Sequence, residues 1–520
     1  MSRPPRETIM AHPAERAEPA VESAQPEPVV ESDRVSTRRQ LFTTGAALAA
    51  AFLAPARKAS AQRIVRPPTR RPPTPTISPD AGLRLVARVT NGVTEEELNL
   101  ADSLGFRRYL EYHLDPAAID DSAVEDFVVT HYPDLSRDGT GLYQLNQGQL
   151  LRELTEAMVY RAAFSKRQFY ERMVHFWSDH FNIYYSKVNY LKILDDREVI
   201  RKHALGTFPD LLRASAHSPA MLEYLDNTRS RGRSPNQNYA RELMELHTLG
   251  VDGGYTQTDV EEVTKALTGW TIAGRGLFRF DPAGHDFTAK TVLGVTIPAS
   301  PAGDAGVQDG ETVLDILVDH PSTARFIATK MSRWLLQYEP TTEIIDDVAE
   351  TYARTGGDIR SMIRTILTPA NLLAAPPKYK QPVQLVLSTL RATAPAVTGL
   401  VAIASNQMRT IGQPLFLWEE PDGYPDNVDW WAGGVLQRWN FCSYLTGLAR
   451  GEVIVDVSGL MQVNTASAIT GSINRRAFAG QMPIELQQRI TEFLSAATIN
   501  ETRVREAFAL ALSSSEFQWY

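Results

Sequence analysis

The stretch from Asn236 to Thr271 constrains the fold most, because it has the pattern of two helices separated by glycines. At 3.6 residues per turn, polar residues fall on one face of the first helix and apolar residues on the opposite face. The polar face consists of Asn238, Arg241, Glu242 and Glu245. Gly250, Gly253 and Gly254 interrupt the pattern, so at least one of them should hold a positive φ as a helix C-cap.

Helical spacing continues through most of the chain, and a capping pattern at Thr94 to Glu97 predicts a helix running toward Leu110. Further helices are predicted over 148–185, 320–331, 341–354, 357–368, 380–395, 430–449, 483–495 and 501–513. The best strand candidate is Gly276 to Phe280, paired with part of 289–297 in a small hairpin. The sequence therefore predicts a mainly α protein, with one large multi-helix domain over residues 83–520 and a minor β-hairpin.

The N-terminal region has the parts of a twin-arginine export signal. Arg38 and Arg39 precede a short apolar run at 43–55, and an A-x-A cleavage site follows at Ala59 to Ala61. The apolar run is shorter than the roughly 20 residues that span a bilayer. Residues 1–61 are thus predicted to be a signal peptide whose n-region is disordered, and 62–82 a Pro-rich linker. We expect the twin-arginine translocase to export the folded chain to the periplasm or beyond.

Charge, cysteine content and missing motifs exclude several classes of protein. The formal net charge is −8 and no basic stripe is present, which argues against a nucleic-acid partner. Cys442 is the single cysteine, so no intramolecular disulfide can form and stability must come from an apolar core. No later segment is apolar and long enough for a membrane helix. The chain also lacks a P-loop, a dinucleotide fingerprint, H-E-x-x-H and G-x-S-x-G.

Several long motifs carry a resemblance to a known family. The segments are HFWSDHF at 175–181, PAMLEYLDN at 219–227, NYARELMELHTLG at 238–250, HDFTAKTVLG at 285–294, HPSTARFIATK at 320–330 and GQPLFLWEEPDGYPD at 412–426. They resemble, in order, the motifs of the domain-of-unknown-function family 1800, from about Leu83 to the C-terminus. The resemblance implies a helical, exported bacterial protein with no established reaction. It also implies a partner, because such proteins are often encoded beside an exported family similar to phosphatases and sulfatases.

Three clusters of polar residues are candidates for a site. His180 is either a metal or ligand contact or a core histidine bonded to backbone. The family usually has Asn where this chain has Asp179, and His is unusual at 175, so a metal pair built on these two is not favoured. Asn238, Glu242 and Glu245 suit either metal ligation or a buried salt network with Arg241.

The third cluster, His285, Asp286 and Lys290, lies in a loop, where such residues are either functional or hold a turn. The loop 412–426 interleaves aromatic and acidic residues. Such a loop suits a carbohydrate or peptide groove, or it is pinned on the core by its rings.

These candidates together predict one polar cleft that binds or processes an extracytoplasmic ligand. The alternative is a metal-dependent hydrolase with carboxylate and histidine ligands, in which a metal ion is the cofactor. The residues leave open whether the protein is an enzyme. We further expect the Asn238 to Glu245 stripe to be buried against the helix of His180, with Glu242 and His180 in one hydrogen-bonded network.

Overall fold

The computed structural model describes residues 80–400, 402–462 and 465–520. The predicted export signal, including Arg38 and Arg39, lies outside the described residues, as does most of the predicted linker. Within the described residues, the first helix begins at Ala81, two residues before the predicted start of the domain at residue 83.

The helices of the first part of the chain carry most of the sequence motifs. They are α1 (Ala81–Val89), α2 (Glu95–Leu104), α3 (Phe106–Leu114), α4 (Ser122–His131), α5 (Gly139–Tyr143), α6 (Gln147–Phe164), α7 (Gln168–His180), α8 (Tyr185–Val188), α9 (Leu191–Asp195), α10 (Phe208–Ala216), α11 (Pro219–Tyr224), α12 (Asn238–Glu242), α13 (Gln257–Leu267), α14 (Gln308–Asp319) and α15 (Pro321–Leu335). Two π-helical segments, Asp196–Arg201 and Leu243–Thr248, continue α9 and α12.

The second part of the chain is also helical. It contains α16 (Thr342–Thr355), α17 (Ile359–Ile366), α18 (Pro369–Ala374), α19 (Pro382–Thr393), α20 (Met408–Thr410), α21 (Val428–Trp431), α22 (Val435–Thr446), α23 (Ser458–Met461), α24 (Ala466–Phe478), α25 (Ile484–Ser495) and α26 (Glu501–Ser513). Helices dominate the described residues, which confirms the mainly α prediction.

Local sequence explains many helix boundaries. Thr256 and Asp259 form a capping box at the start of α13, and Thr94 caps α2 by accepting from the Glu97 amide. The predicted helix toward Leu110 ends early, because Gly105 adopts a φ of 73° between α2 and α3. Gly250 and Gly254 both have a φ of 84°, which confirms the prediction for the turn after the first signature helix.

The strands in the part of the chain that the structure describes form three small antiparallel pairs, and the predicted pairing was wrong. β1 (Trp270–Ala273) pairs with β2 (Leu277–Phe280), β3 (Lys290–Val292) pairs with β4 (Val295–Ile297), and β5 (Ala396–Val397) pairs with β6 (Val453–Ile454). The segment 276–280 is thus a strand, but its partner precedes it. A short turn joins β1 to β2, so pairing them closes a smaller loop than pairing 276–280 with 289–297 would.

Two large apolar clusters form the core. One contains Trp177 and Phe208 and is built by residues between Leu85 and Ala375, and the other contains Phe441 and Phe508. A small aromatic cluster, with Tyr379, Tyr424 and Trp431 among its members, lies apart from both. In the described residues, no helix has the length and apolar character needed to cross a membrane.

Candidate functional site

The C-terminal turn of α7 places an acidic group at the centre of the candidate site. Asp179 is half-buried, and the protein around it raises its pKa to about 7, mainly through burial, while Lys330 and the Tyr424 backbone oppose the shift. A carboxyl group normally titrates near 3.9, so this one is partly protonated at neutral pH. Such a shift in a group that keeps solvent access is typical of functional sites.

Lys330, near the middle of α15, faces the same region. Burial lowers the pKa of its ammonium, and the charges of Asp179 and Asp422 raise it in part. Although these carboxylates influence Lys330, its ammonium forms no ion pair or hydrogen bond within the described residues. Lys330 and Asp179 are therefore electrostatic neighbours that do not touch, and both have pKa values moved toward neutrality.

Two buried histidines, His180 and His247, lie close enough to Lys330 for its charge to lower their pKa, and His175 is buried one turn earlier on α7. The His180 Nε2 lies 3.2 Å from the carbonyl oxygen of His247, and the two rings are 6.3 Å apart between centroids. Burial lowers the pKa of His247 to about 3 and that of His175 to about 4, and it holds the pKa of His180 well below its usual value. All three rings are thus neutral at pH 7. Each keeps one buried ring nitrogen without a hydrogen bond to the described residues.

The signature helix changes geometry where it meets His180. Residues Leu243–Thr248 are π-helical, and the Thr248 hydroxyl donates to the Leu243 carbonyl 2.7 Å away. This wider turn sends His247 into the interior, where it is 1% exposed, beside His180. π-Helical turns inside helices occur frequently at functional sites. The prediction of helix faces assumed 3.6 residues per turn, so it could not show that the π-helical turn shifts His247 to a different face.

The polar stripe on this helix is less buried than predicted. Asn238 is exposed, and Arg241, Glu242 and Glu245 are half-buried. Arg241 donates to Gln257 rather than to either carboxylate, and Glu245 accepts from the Tyr255 hydroxyl at 3.4 Å. The expected salt network is therefore wrong, because Arg241 does not pair with Glu242 or Glu245 in the described residues.

The predicted network between Glu242 and His180 is also wrong. Within the described residues Glu242 forms no hydrogen bond, and burial, followed by the charge of Glu245, raises its pKa. His180 reaches the same continuous helix, but through the His247 backbone rather than through a carboxylate. The end of α7 thus contacts the π-helical continuation of α12 rather than its polar stripe.

The loop 412–426 is tied down through its backbone. Asn182 donates to the carbonyl oxygens of Trp418 and Glu420, at 3.1 and 2.6 Å, and the Tyr224 hydroxyl donates to that of Glu419 at 2.7 Å. Because the carbonyl oxygens are held inside, the side chains of Glu419 and Glu420 remain exposed. The fixed loop thus presents its acidic side chains to solvent.

The far end of this loop lies directly on Asp179. A β-carbon added to Gly423, whose φ is 76°, would lie 2.3 Å from the Asp179 carbonyl oxygen. Next to it, Trp418 donates to Asp422 at 2.8 Å, and its ring is 4.8 Å from that of Tyr424 and 5.9 Å from that of Trp430. Aromatic rings and carboxylates therefore border the Asp179 and Lys330 pair.

Asp426 fixes the end of the loop to the protein. Its carboxylate accepts from Lys378 at 2.6 Å, and Lys378 is 1% exposed. Gln381 also donates to Asp426, at 3.3 Å. The pair is a structural anchor, since its charges are matched.

The remaining predicted residues form a separate buried network. Lys290 donates to the carbonyl oxygens of Asp286 and Thr288, at 2.6 and 2.7 Å, and to Asp309 at 2.6 Å. His285 contacts the Thr268 carbonyl at 2.7 Å and Asp309 at 3.1 Å. None of these contacts, within the described chain, reaches Lys330 or Asp179. His285, Asp286 and Lys290 therefore do not join His180 and Glu242 in one site.

The sequence patterns did not single out Lys330 or favour a site at Asp179, whereas Asp422 lies in the loop 412–426 that they did mark as a candidate groove. Lys330 ends the motif HPSTARFIATK, so a lysine on the inner side of an amphipathic helix was the available signal. No group of three or more His, Cys, Asp or Glu side chains in the described residues is arranged to hold a metal ion. The metal-site alternative thus has no ligand set in this part of the chain.

The fold and site define a mainly helical protein in which Asp179, Lys330, the 238–248 helix and the 412–426 loop form one polar region, called the candidate cleft below. The chain belongs to the family described as protein of unknown function, DUF1800, whose family model matches residues 84–519. Comparisons with curated proteins and with solved structures find no match.

Proposed function

We propose that the cleft binds a neutral, hydroxyl-rich ligand of the carbohydrate class and processes it by proton transfer. The observation that carries the proposal is the arrangement of Asp179 and Lys330. They influence each other without touching, under a loop of aromatic and acidic residues. A ligand oxygen lying between them would meet a carboxyl group that exchanges protons near neutral pH and an amine whose pKa is lowered by burial.

The surroundings favour a neutral ligand. Glu242, Glu420 and Asp422 act on the same tyrosine, Tyr224, and raise its pKa together with burial, which is the largest cause. This concentration of negative charge opposes an anionic ligand. Carboxylates accept hydrogen bonds from hydroxyl groups, and the rings of Trp418 and Trp430 offer apolar faces for a sugar ring.

Asp179 is the general acid in this proposal, because a pKa of about 7 keeps a proton available at neutral pH. The C–O bond of the ligand breaks as the Asp179 proton moves to the departing oxygen, and a water molecule adds to the carbon and returns a proton to the Asp179 carboxylate. Lys330 stabilises negative charge that develops on the departing oxygen before the proton has transferred. The neutral, buried His180 and His247 hold the end of α7 against the signature helix and position Asp179.

A titration of the purified protein with neutral oligosaccharides tests this proposal. Cellohexaose, maltohexaose and a neutral hexapeptide are titrated by calorimetry into the parent, Trp418→Ala and Lys330→Met. We expect one oligosaccharide to bind, and both variants to weaken binding at least about tenfold, the equivalent of roughly 1.4 kcal/mol. Trp439→Ala is the matched control, because Trp439 is 48% exposed on α22 outside the cleft. Peptide binding without oligosaccharide binding, or unchanged affinity in Trp418→Ala, would refute the proposal.

Elemental analysis separates this function from a metal-dependent hydrolase. Stoichiometric metal in protein purified from its native compartment would favour the hydrolase. In that case removing the metal with a chelator should abolish binding or turnover, whereas the proposed proton transfer is insensitive to the chelator.

Export by the twin-arginine translocase belongs to the same proposal, because the expected ligand is extracytoplasmic. Changing Arg38 and Arg39 to Lys should leave the precursor in the cytoplasm, since the paired guanidinium groups are recognised rather than charge alone. Normal processing of that variant would contradict the proposal. Co-purification with a co-encoded, exported phosphatase- or sulfatase-like protein tests the proposed partner.

A further inference from the structure

A cavity of about 390 Å³ lies outside the cleft, and neither Lys330 nor Asp179 lines it. Residues from α1, α19 and α24 and from the segment 516–520 form its wall. Its volume is within the range of small-molecule sites in proteins. Much of the lining is apolar, with Leu83, Val93, Phe478 and Phe517 among the contributing residues.

Arg172 lines this cavity, and one edge of its guanidinium has no hydrogen bond within the described residues. The residue is 3% exposed, and its Nη1 donates to the Thr90 carbonyl at 3.1 Å. Its Nε and Nη2 are buried and have no partner among the described residues. These two nitrogens form the side-on edge of a guanidinium, which donates two parallel hydrogen bonds to a carboxylate. A buried donor pair without an acceptor is costly, so a ligand that supplies one would stabilise it.

Two further donors line the same cavity. The indole nitrogen of Trp519 is buried without a partner, and the residue is 8% exposed. Lys380 is also 8% exposed, and its Nζ lies 3.6 Å from the centre of the Phe517 ring without forming a hydrogen bond within the described chain. Burial lowers the pKa of Lys380 to about 7, with Cys442 and Arg438 as its titratable neighbours.

The charges of the lining residues also favour an anionic ligand. Arg84, Arg172 and Lys380 contribute positive charge, and Glu516 contributes negative charge. We propose that this cavity is a binding site for a small organic carboxylate, with the carboxylate on the Nε and Nη2 edge of Arg172, near Lys380, and an apolar body against the remaining wall. The site is separate from the cleft and does not depend on the function proposed there.

Calorimetric titration with octanoate tests the site, with 1-octanol as the neutral match and inorganic phosphate as an anion without an apolar body. We expect saturable binding of one octanoate, at least about tenfold weaker binding of octanol and no comparable binding of phosphate. Arg172→Gln and Lys380→Met should each weaken octanoate binding at least about tenfold. Arg391→Gln is the control, because its side chain is 9% exposed but lies outside the cavity lining.

A second measurement does not require a stable variant. The partly neutral Lys380 amine should react with trinitrobenzenesulfonate at pH 7, and octanoate should protect it, as read by mass spectrometry of the parent protein. Titrations at pH 8 in two buffers should also show proton uptake on octanoate binding, which Lys380→Met should lose. Equal affinity for octanol and octanoate, preference for phosphate, unchanged binding in both variants or failure of octanoate to protect Lys380 would overturn the proposal.

Discussion

The candidate cleft and the His285 network both contain a lysine and an aspartate, but only in the His285 network do these two side chains pair with each other. In the His285 network, every N–H of the Lys290 ammonium has an acceptor, and Asp309 accepts from Lys290, His285 and Ser300. In the candidate cleft, Lys330 and Asp179 are only half-buried. The Lys330 ammonium has no hydrogen bond or ion pair within the described residues, and Asp179 accepts a hydrogen bond from the Tyr424 backbone but touches no cation there. Burial raises the pKa of Asp179 and lowers that of Lys330. Matched buried charges fix a structure, whereas unmatched, partly accessible charges can act on a ligand.

The largest expected effect breaks the matched network. Lys290→Met leaves Asp309 buried without its cation and should lower the free energy of unfolding by about 3–5 kcal/mol. Urea denaturation measures this loss. The control is Asp346→Asn in the exposed pair with Arg325, where a change within about 1 kcal/mol is expected. Equal effects in the two variants would show that burial does not distinguish these ion pairs.

The next effect tests how closely the loop lies on Asp179. Gly423→Ala combines left-handed strain, about 1–2 kcal/mol, with a clash against the Asp179 carbonyl that adds about 1–3 kcal/mol. Gly412→Ala is the matched control, because its φ is 93° and the added β-carbon meets nothing within 4 Å. Thermal unfolding of both variants gives the difference. Equal losses would mean that the loop does not contact α7 closely.

A smaller effect of opposite sign concerns Asp179. Its pKa is higher in the folded state, about 7, than in the unfolded chain, so its contribution to stability is greatest below the unfolded pKa and is lost as the pH rises through 7. Asp179→Asn should therefore stabilise the protein by on the order of 1–3 kcal/mol at pH 8, and by much less at pH 4. Denaturation of parent and variant at both pH values measures the difference.

The variant must be compared with the parent at each pH, because His175 and His247 make stability fall as the pH falls, whereas Asp179 makes it fall as the pH rises. Their pKa values are lower in the folded state, so their contribution is present above their unfolded pKa and is lost as the pH falls through about 4 and about 3. Both proteins share this acid-induced loss, and subtraction removes it. A variant that is less stable than the parent at pH 8 would show that the Asp179 carboxylate is well matched after all.

The smallest expected effect is at Glu242. Because its half-buried carboxylate forms no hydrogen bond in the described residues and is repelled by Glu245, Glu242→Gln should change stability by no more than about 0.5 kcal/mol. Urea denaturation at pH 7 measures the change. A loss near 3 kcal/mol would show that Glu242 is a paired carboxylate in a buried network, as the helical pattern predicted and as Asp309 is.

Local sequence was sufficient for the fold class and for many helix boundaries. Helix α26 spans 501–513 as predicted, and Gly250 and Gly254 after the signature helix have the expected positive φ, because caps, proline positions and helical spacing are local properties. Local sequence did not decide which strand pairs with 276–280, because two segments, 270–273 and 289–297, were possible partners. The π-helical turn at 243–248 was likewise not visible in the helical spacing, which assumes 3.6 residues per turn throughout.

The sequence by itself determined the helical architecture and the motifs that carry the chemistry, and only the tertiary structure decided which motifs meet. Lys330, Asp179 and Asp422 are far apart along the chain, so their proximity depends on helix packing rather than on spacing. From the sequence, His285 and Lys290 were candidate site residues just as His180 and Glu242 were. They differ from the cleft residues because Asp309, contributed by α14, neutralises the buried network. Whether a charged group is structural or available to a ligand depends on its partners, and those are set by the three-dimensional contacts.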